Sequence, residues 1–216
     1  GWSKVGNATV TDIKKGDSWK YWDQGSLNGT DWKTGSVNNW AEGITPLGYG
    51  KDAIATTINY GGDSSQKYPT YYFRKNLQID SDPADIASVT LDYTADDGFV
   101  VYVNGVEACR YLMPDGEPTF ETYATTHTIN NPDSGTMSLP VNLFRKGENI
   151  IAVEVHNNVP GSSDIYWDAE ISYNITSGTA IVSRERTLKL DTDANTELQA
   201  VFTPLHRDCL WEAGST

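Results

Sequence analysis

The stretch from Thr94 to Glu107, Thr-Ala-Asp-Asp-Gly-Phe-Val-Val-Tyr-Val-Asn-Gly-Val-Glu, constrains the fold more than any other part of the chain. Phe99, Val101 and Val103 alternate with Val100 and Tyr102, the two-residue period of a β-strand. Asn104-Gly105 follows, and both residues tolerate the positive φ of a type I′ hairpin turn. The stretch therefore reads as an acidic turn, a strand, a tight turn and a return strand carrying Glu107 and Arg110. A second segment is just as regular. Ile165, Trp167, Ala169, Ile171 and Tyr173 alternate strictly with Tyr166, Asp168, Glu170, Ser172 and Asn174, as a half-buried strand requires. Asn149 to His156 is nearly all apolar and predicts a central strand. Seven Trp, twelve Tyr and 19 Gly suit short strands joined by tight turns. With few helix-period segments, the prediction is an all-β sandwich. The 216 residues suffice for one sizeable core and a small appendage.

Charge narrows the partners. Sixteen basic and 29 acidic residues leave a net charge of −13. Such a surface repels nucleic-acid phosphates and anionic membranes. Neutral sugars, cations and proteins remain as partners, and solubility alone accounts for the charge equally well. No apolar run reaches the roughly 18 residues that span a bilayer. The two cysteines, Cys109 and Cys209, are too few for a disulfide framework.

Residues 1 to 18 are polar and weakly patterned. Trp19 to Gly50 reads as a long covering loop with one or two short strands. Ala53 to Asn59 is a strand candidate. Tyr71, Phe73, Leu77 and Ile79 share one face of the next strand, and Lys75 breaks its alternation, which predicts a bulge or an edge. Val89, Leu91 and Tyr93 form another inward face. Residues 114 to 136 read as a loop around a strand near Thr119 to Thr126. Ser177-Gly178 marks a change in composition, so residues 1–175 form the predicted sandwich. Residues 176–216 form a C-terminal extension of short strands, or the start of a following domain.

Four segments together resemble a known family. They are Asp-Asp-Gly-x-Val-Val-Tyr-Val-Asn-Gly-x-Glu-x-x-Arg from Asp96 to Arg110, with Met113-Pro114 after it; Trp40 to Gly50; Tyr72-Phe73-Arg74-Lys75; and Ala152-Val-Glu-Val-His156 with Ser162, Ser163, Asp164 and Asp168. They span roughly Trp19 to Asn174. The pattern resembles galactose-binding-like jelly-roll modules of secreted bacterial proteins of the Bacteroidetes type. Such modules often stand beside a spore-coat-H-type kinase, lamin-tail or phosphoesterase domain, and no catalytic signature of those is present. The resemblance implies a jelly-roll β-sandwich and a secreted or cell-surface location. No leader peptide is legible at Gly1-Trp2-Ser3, so the location rests on the resemblance.

Asp96 and Asp97 could act as acid and base, ligate calcium, or accept hydrogen bonds from sugar hydroxyls. They could equally cap a turn by bonding nearby backbone N–H groups. Arg110 could grip a carboxylate through its guanidinium fork, with Glu107 three residues away as the nearest partner. Arg74, in mid-strand, reads as half of a structural ion pair. His156 ends the apolar strand and opens a loop running to Asp164. Strand-end loops gather at the rims of a jelly roll, so this loop can meet the acidic turn. A lone His there is a loop anchor or a base. Trp40 and Tyr49 flank a Gly/Pro loop and could wall a ligand site or pack beneath the loop. The three His have no zinc spacing, and no nucleophile elbow or phosphate loop is present. Asp191-Thr-Asp193-Ala-Asn195 copies the start of a calcium loop but lacks its Gly and its final Glu, and reads as a turn. The expectation is a non-catalytic carbohydrate-binding module, with Asp96, Asp97, Glu107, Arg110, His156, Asp164 and Trp40 as ligand-binding candidates. Structural calcium is the one cofactor considered. The alternative is a structural or protein-docking sandwich beside a catalytic domain.

Overall fold

The computed structural model describes residues 2–181 and 199–200, which form a two-sheet β-sandwich of the jelly-roll class. One sheet runs in the order β10 (Asp133–Leu139), β7 (Ile86–Asp96), β12 (Ile165–Ile181), β1 (Trp2–Ile13) and β13 (Gln199–Ala200). Strand β4 (Leu47–Tyr49) also pairs with β12, and β5 (Thr56–Thr57) pairs with β4. The other sheet runs β3 (Ala41–Ile44), β2 (Ser18–Trp22), β6 (Thr70–Ile79), β11 (Gly147–His156), β8 (Gly98–Val103) and β9 (Val106–Tyr111).

The inner faces carry the alternation read from the sequence. Val89, Leu91, Tyr93, Trp167, Ala169 and Ile171 face Tyr71, Phe73, Phe99, Val101, Val153 and Val155, all buried in one core. Trp167 sits at its centre, with Phe99 at 5.4 Å and Trp19 edge-on at 5.9 Å between ring centroids. Burying such large rings accounts for much of the apolar area removed from water. The predicted hairpin forms between β8 and β9, and Asn104 and Gly105 take φ of 52° and 87°.

Several elements depart from expectation. The N-terminal segment is a full strand, because β1 pairs with β12 from Trp2↔Ile181 to Ile13↔Ile171. The polar residues Thr9, Thr11 and Asp12 hid its period. The Trp-rich segment holds three strands, and Trp19 is core. The strand expected at 53–59 shrinks to Thr56–Thr57. Lys75 marks no bulge, since it pairs in register with Ile151. The pairing of β6 with β2 ends one residue earlier, at Arg74, so β6 becomes an edge on that side. The Lys75 Nζ donates to Ser18 O at 2.8 Å. No strand forms at 119–126, and the next strand is β10, paired with β7. Strand β12 runs past the expected boundary at 175 to Ile181. Cys209 and the Asp191 to Asn195 segment lie outside the described residues.

Candidate functional site

Asp96 and Asp97 lie at the corner where the chain leaves β7 in one sheet and enters β8 in the other. They are 1% and 2% exposed. Three of their four oxygens accept from two loops, and Asp96 Oδ2 accepts no hydrogen bond among the described residues. Asp97 accepts the backbone N–H of Thr128 at 3.1 Å and that of Asn158 at 2.9 Å. Asp96 Oδ1 accepts the Thr128 hydroxyl at 2.8 Å. Lys51 supplies a cation, with Nζ at 2.5 Å from Asp164 Oδ2 and 3.3 Å from Asp96 Oδ2. Gly50 brings it there. Its φ is 76°, and a Cβ would lie 2.3 Å from Ser163 O, so only glycine lets β4 end this close to the Asp164 loop. Burial, then the hydrogen bond and charge of Asp97, push the Asp96 carboxyl up to about 7.

The acidic corner therefore meets the His156-to-Asp164 loop through Asn158 and Asp164. It does not meet Arg110. Arg110 grips Glu107 with two bonds of 2.6 Å, Nε to Oε1 and Nη2 to Oε2, and also donates to the carbonyls of Pro114 and Gly116. No described hydrogen bond or ion pair joins it to Asp96 or Asp97. The single rim expected to hold Asp96, Arg110 and His156 together is thus divided. Arg74 does not form an ion pair among the described residues either. Its buried guanidinium donates to Trp32 O at 2.5 Å and to Gly35 O at 3.4 Å. Calcium fits the acidic corner poorly, because the Lys51 ammonium already stands between Asp96 and Asp164. Among the described residues no group of three or more His, Cys, Asp or Glu is arranged to hold a metal.

The outward face of the six-stranded sheet holds two openings. Register places Trp22 opposite Tyr72, Tyr72 opposite Glu154, Glu154 opposite Val100, and Val100 opposite Arg110. These side chains form one row across β2, β6, β11, β8 and β9. The loop after β2 folds over the row and lays the Trp32 ring 4.8 Å from that of Tyr72. On one side of Trp32 lies a cavity of about 350 Å³, floored by Tyr72 and Glu154 and closed by Lys33, Glu117 and Thr119. On the other side lies a cavity of about 270 Å³, walled by Trp22, Asn39 and Trp40. Trp40 is buried, with its ring 6.3 Å from that of Trp22. Tyr49 lies elsewhere, buried in the core.

Glu154 is 3% exposed yet borders the larger cavity. Its Oε1 accepts the Tyr102 hydroxyl at 2.6 Å. Its Oε2 accepts no hydrogen bond among the described residues. His156 Nε2 lies 3.3 Å away, but off the line of a hydrogen bond. On the other edge of that ring, Nδ1 lies 2.7 Å from Thr122 O, which can only accept, so Nδ1 carries the proton. Nδ1 also lies 3.0 Å from the Thr70 hydroxyl. His156 thus ties the 112–128 loop to β11. Burial and the Glu154 charge push the Tyr72 and Tyr102 phenols up, which keeps both as donors. Lys33 Nζ stands 3.9 Å over the Tyr102 ring and 2.6 Å from Glu117.

Sequence reasoning missed Glu154, Tyr72, Trp22, Trp32 and Lys51. The available signal was an ionisable residue inside an apolar central strand, Val153-Glu154-Val155, a position that rarely holds a charge without a partner.

No family model and no curated protein matches this sequence. Solved structures share its fold. A β-glucuronidase 2 of Bacteroides uniformis matches with a TM-score of 0.50 and 17% identity over 78% of this chain and 18% of that one. A β-glucuronidase of Bifidobacterium dentium matches with a TM-score of 0.49 and 10% identity, over 79% of this chain and 30% of that one. A β-glucuronidase of an uncultured Clostridium gives 0.49 and 14%, with the same coverage. The class so defined is a jelly-roll sandwich. This chain spans from 18% to 30% of the length of those enzymes.

Proposed function

We propose that this chain is a non-catalytic carbohydrate-binding module of a secreted or surface bacterial protein, and that it binds through the outward cleft rather than the acidic corner. Glu154 carries the proposal. It is a buried carboxylate that lines a cavity beside Tyr72 and Trp32, with one oxygen held by Tyr102 and the other accepting no hydrogen bond among the described residues. A sugar needs an acceptor for its hydroxyls and an aromatic face for its C–H surface, and this arrangement offers both. The acidic corner offers no aromatic face: three of its four carboxylate oxygens accept from two loops, and the fourth, Asp96 Oδ2, faces the Lys51 ammonium at 3.3 Å.

A glycan array probed with the whole chain, in calcium and in chelator, tests this. Saturable binding to neutral glycans is expected, and Glu154→Gln should weaken it by at least about tenfold, the effect of one hydrogen bond to a charged group. No bound glycan, or unchanged binding by the variant, would reject the proposal. Loss of binding in chelator would bring calcium back into the site.

A second function, docking against a neighbouring domain, is favoured by one observation. The residues following the two stapled amides, Ile129 and Val159, are 86% and 48% exposed. The corner holds both loops so that they present apolar side chains to solvent.

A further inference from the structure

We infer that the two cavities are subsites of one cleft, and that its ligand is an oligosaccharide chain crossing over Trp32 rather than a single sugar. This rests on the proposed carbohydrate function and adds the class of ligand.

The floors belong to one row. Trp22, Tyr72 and Glu154 are direct cross-strand neighbours on three adjacent strands; Trp22 lines one cavity, and Tyr72 and Glu154 line the other. Adjacent strands lie about 4.8 Å apart, comparable to the width of a pyranose ring. With Trp32 over Tyr72, the row offers a ring position at the Glu154 end and another at the Trp22 end. The wall is shared too, because Leu27, Thr30, Asp31 and Trp32 line both cavities. Trp32 stands 4.8 Å from the Tyr72 ring and lines both cavities; in the proposed cleft it is the ridge over which the ligand passes.

The ridge is rigid. Arg74 lies beneath it, 4% exposed, and donates to the carbonyls of Trp32 and Gly35. A buried guanidinium spent on two loop carbonyls holds the Trp32 backbone at a set height above the sheet. The indole can thus meet a ligand without first being ordered.

Size and chemistry agree with a chain. Pockets that enclose a small ligand run from about 300 to 1,000 Å³. At about 350 Å³ and about 270 Å³, one cavity falls at the bottom of that range and the other below it. The Glu154 cavity is polar at its floor and suits a hydroxyl-bearing end. The far cavity presents Trp22 and Trp40, which suit the flatter face of a following sugar. A single monosaccharide satisfies one end and leaves the other to water.

The test is calorimetric titration of the whole chain with ladders of one to six units of cello-, laminari-, xylo- and manno-oligosaccharides. In the ladder that binds, affinity should rise at least about tenfold between one unit and three, then level off. Trp22→Ala, and independently the exposed Asn39→Ala, should bring the trisaccharide down toward the wild-type monosaccharide affinity. Glu154→Gln should weaken every member. A melting curve for each variant separates binding loss from unfolding, and Asn39→Ala keeps the test open if Trp22→Ala melts early. Binding that does not depend on chain length, or that ignores both far-cavity variants while Glu154→Gln lowers it, overturns the two-subsite cleft and leaves a one-sugar site standing. Binding to no ladder, or binding indifferent to Glu154→Gln, overturns the carbohydrate site and the cleft together.

Discussion

Tyr102 donates its phenolic hydrogen to Glu154 Oε1 at 2.6 Å, across the pairing of β8 with β11 and with both residues buried. The bond holds one carboxylate oxygen in the sheet and leaves the other without a hydrogen bond among the described residues. Tyr102→Phe removes the donor and leaves a buried carboxylate short of one bond. Unfolding free energy should fall by about 1.5–3 kcal/mol, the range for a hydrogen bond to a charged group. Urea denaturation measures it. A variant as stable as the wild type would show that Glu154 finds another donor.

Asp97 acts on the loops in the same way. Replacing it with alanine strands the amides of Thr128 and Asn158, at a cost of about 1–3 kcal/mol for each buried group left unpaired. The melting temperature should drop, and amide exchange at both positions should accelerate. Lost glycan binding with an unchanged melting temperature would instead make Asp97 a ligand contact.

Asp96 gives the fold a pH dependence whose sign follows from its burial. Folded, it keeps its proton up to about pH 7, while an unfolded Asp releases it near 3.9. The folded chain binds the extra proton across that window, so this group stabilises fully below about pH 4, and its contribution is lost as pH rises through about 7. Lys51 lies closer to Asp164 than to Asp96 and offsets only part of this. Asp96→Asn should flatten the slope of stability between pH 4 and 7. Equal slopes in the two proteins would acquit Asp96.

Catalysis is not expected. Burial, with the Glu107 charge, pushes the Cys109 thiol up to about 12, so it is no thiolate at neutral pH. Aryl glycosides, aryl esters and aryl phosphates should be hydrolysed no faster than background. Turnover that disappears in a folded Asp97→Ala protein would make this chain an enzyme.

Local period decided much of the fold. The alternation at 89–93, 99–103 and 165–173 told which side chains turn inward, because successive residues of a strand point to opposite faces. Asn104-Gly105 told where the hairpin turns, because the turn needs positive φ at both positions. The site was less legible. Asp96-Asp97 stood out as a pair of carboxylates, yet its partners are backbone amides 31 and 61 residues away, and an amide leaves no mark in a sequence. Arg110 does grip Glu107, the partner its spacing offered, across the β-bulge that shifts the β8–β9 register between Val101 and Tyr102, and it does not join the acidic pair as the shared rim required.

By itself the sequence determined an all-β sandwich with aromatic inner faces, the hairpin and the candidate polar residues. Only the tertiary structure decided which of those residues meet. Trp22, Tyr72 and Glu154 become neighbours because β11 chose β6 and β8 as partners, and β6 chose β2. A period of two names the face of each side chain and says nothing about which strand lies alongside. Strand order is a property of the whole sheet, settled by closing long loops over one shared core, so the cleft exists only once the sheet is assembled.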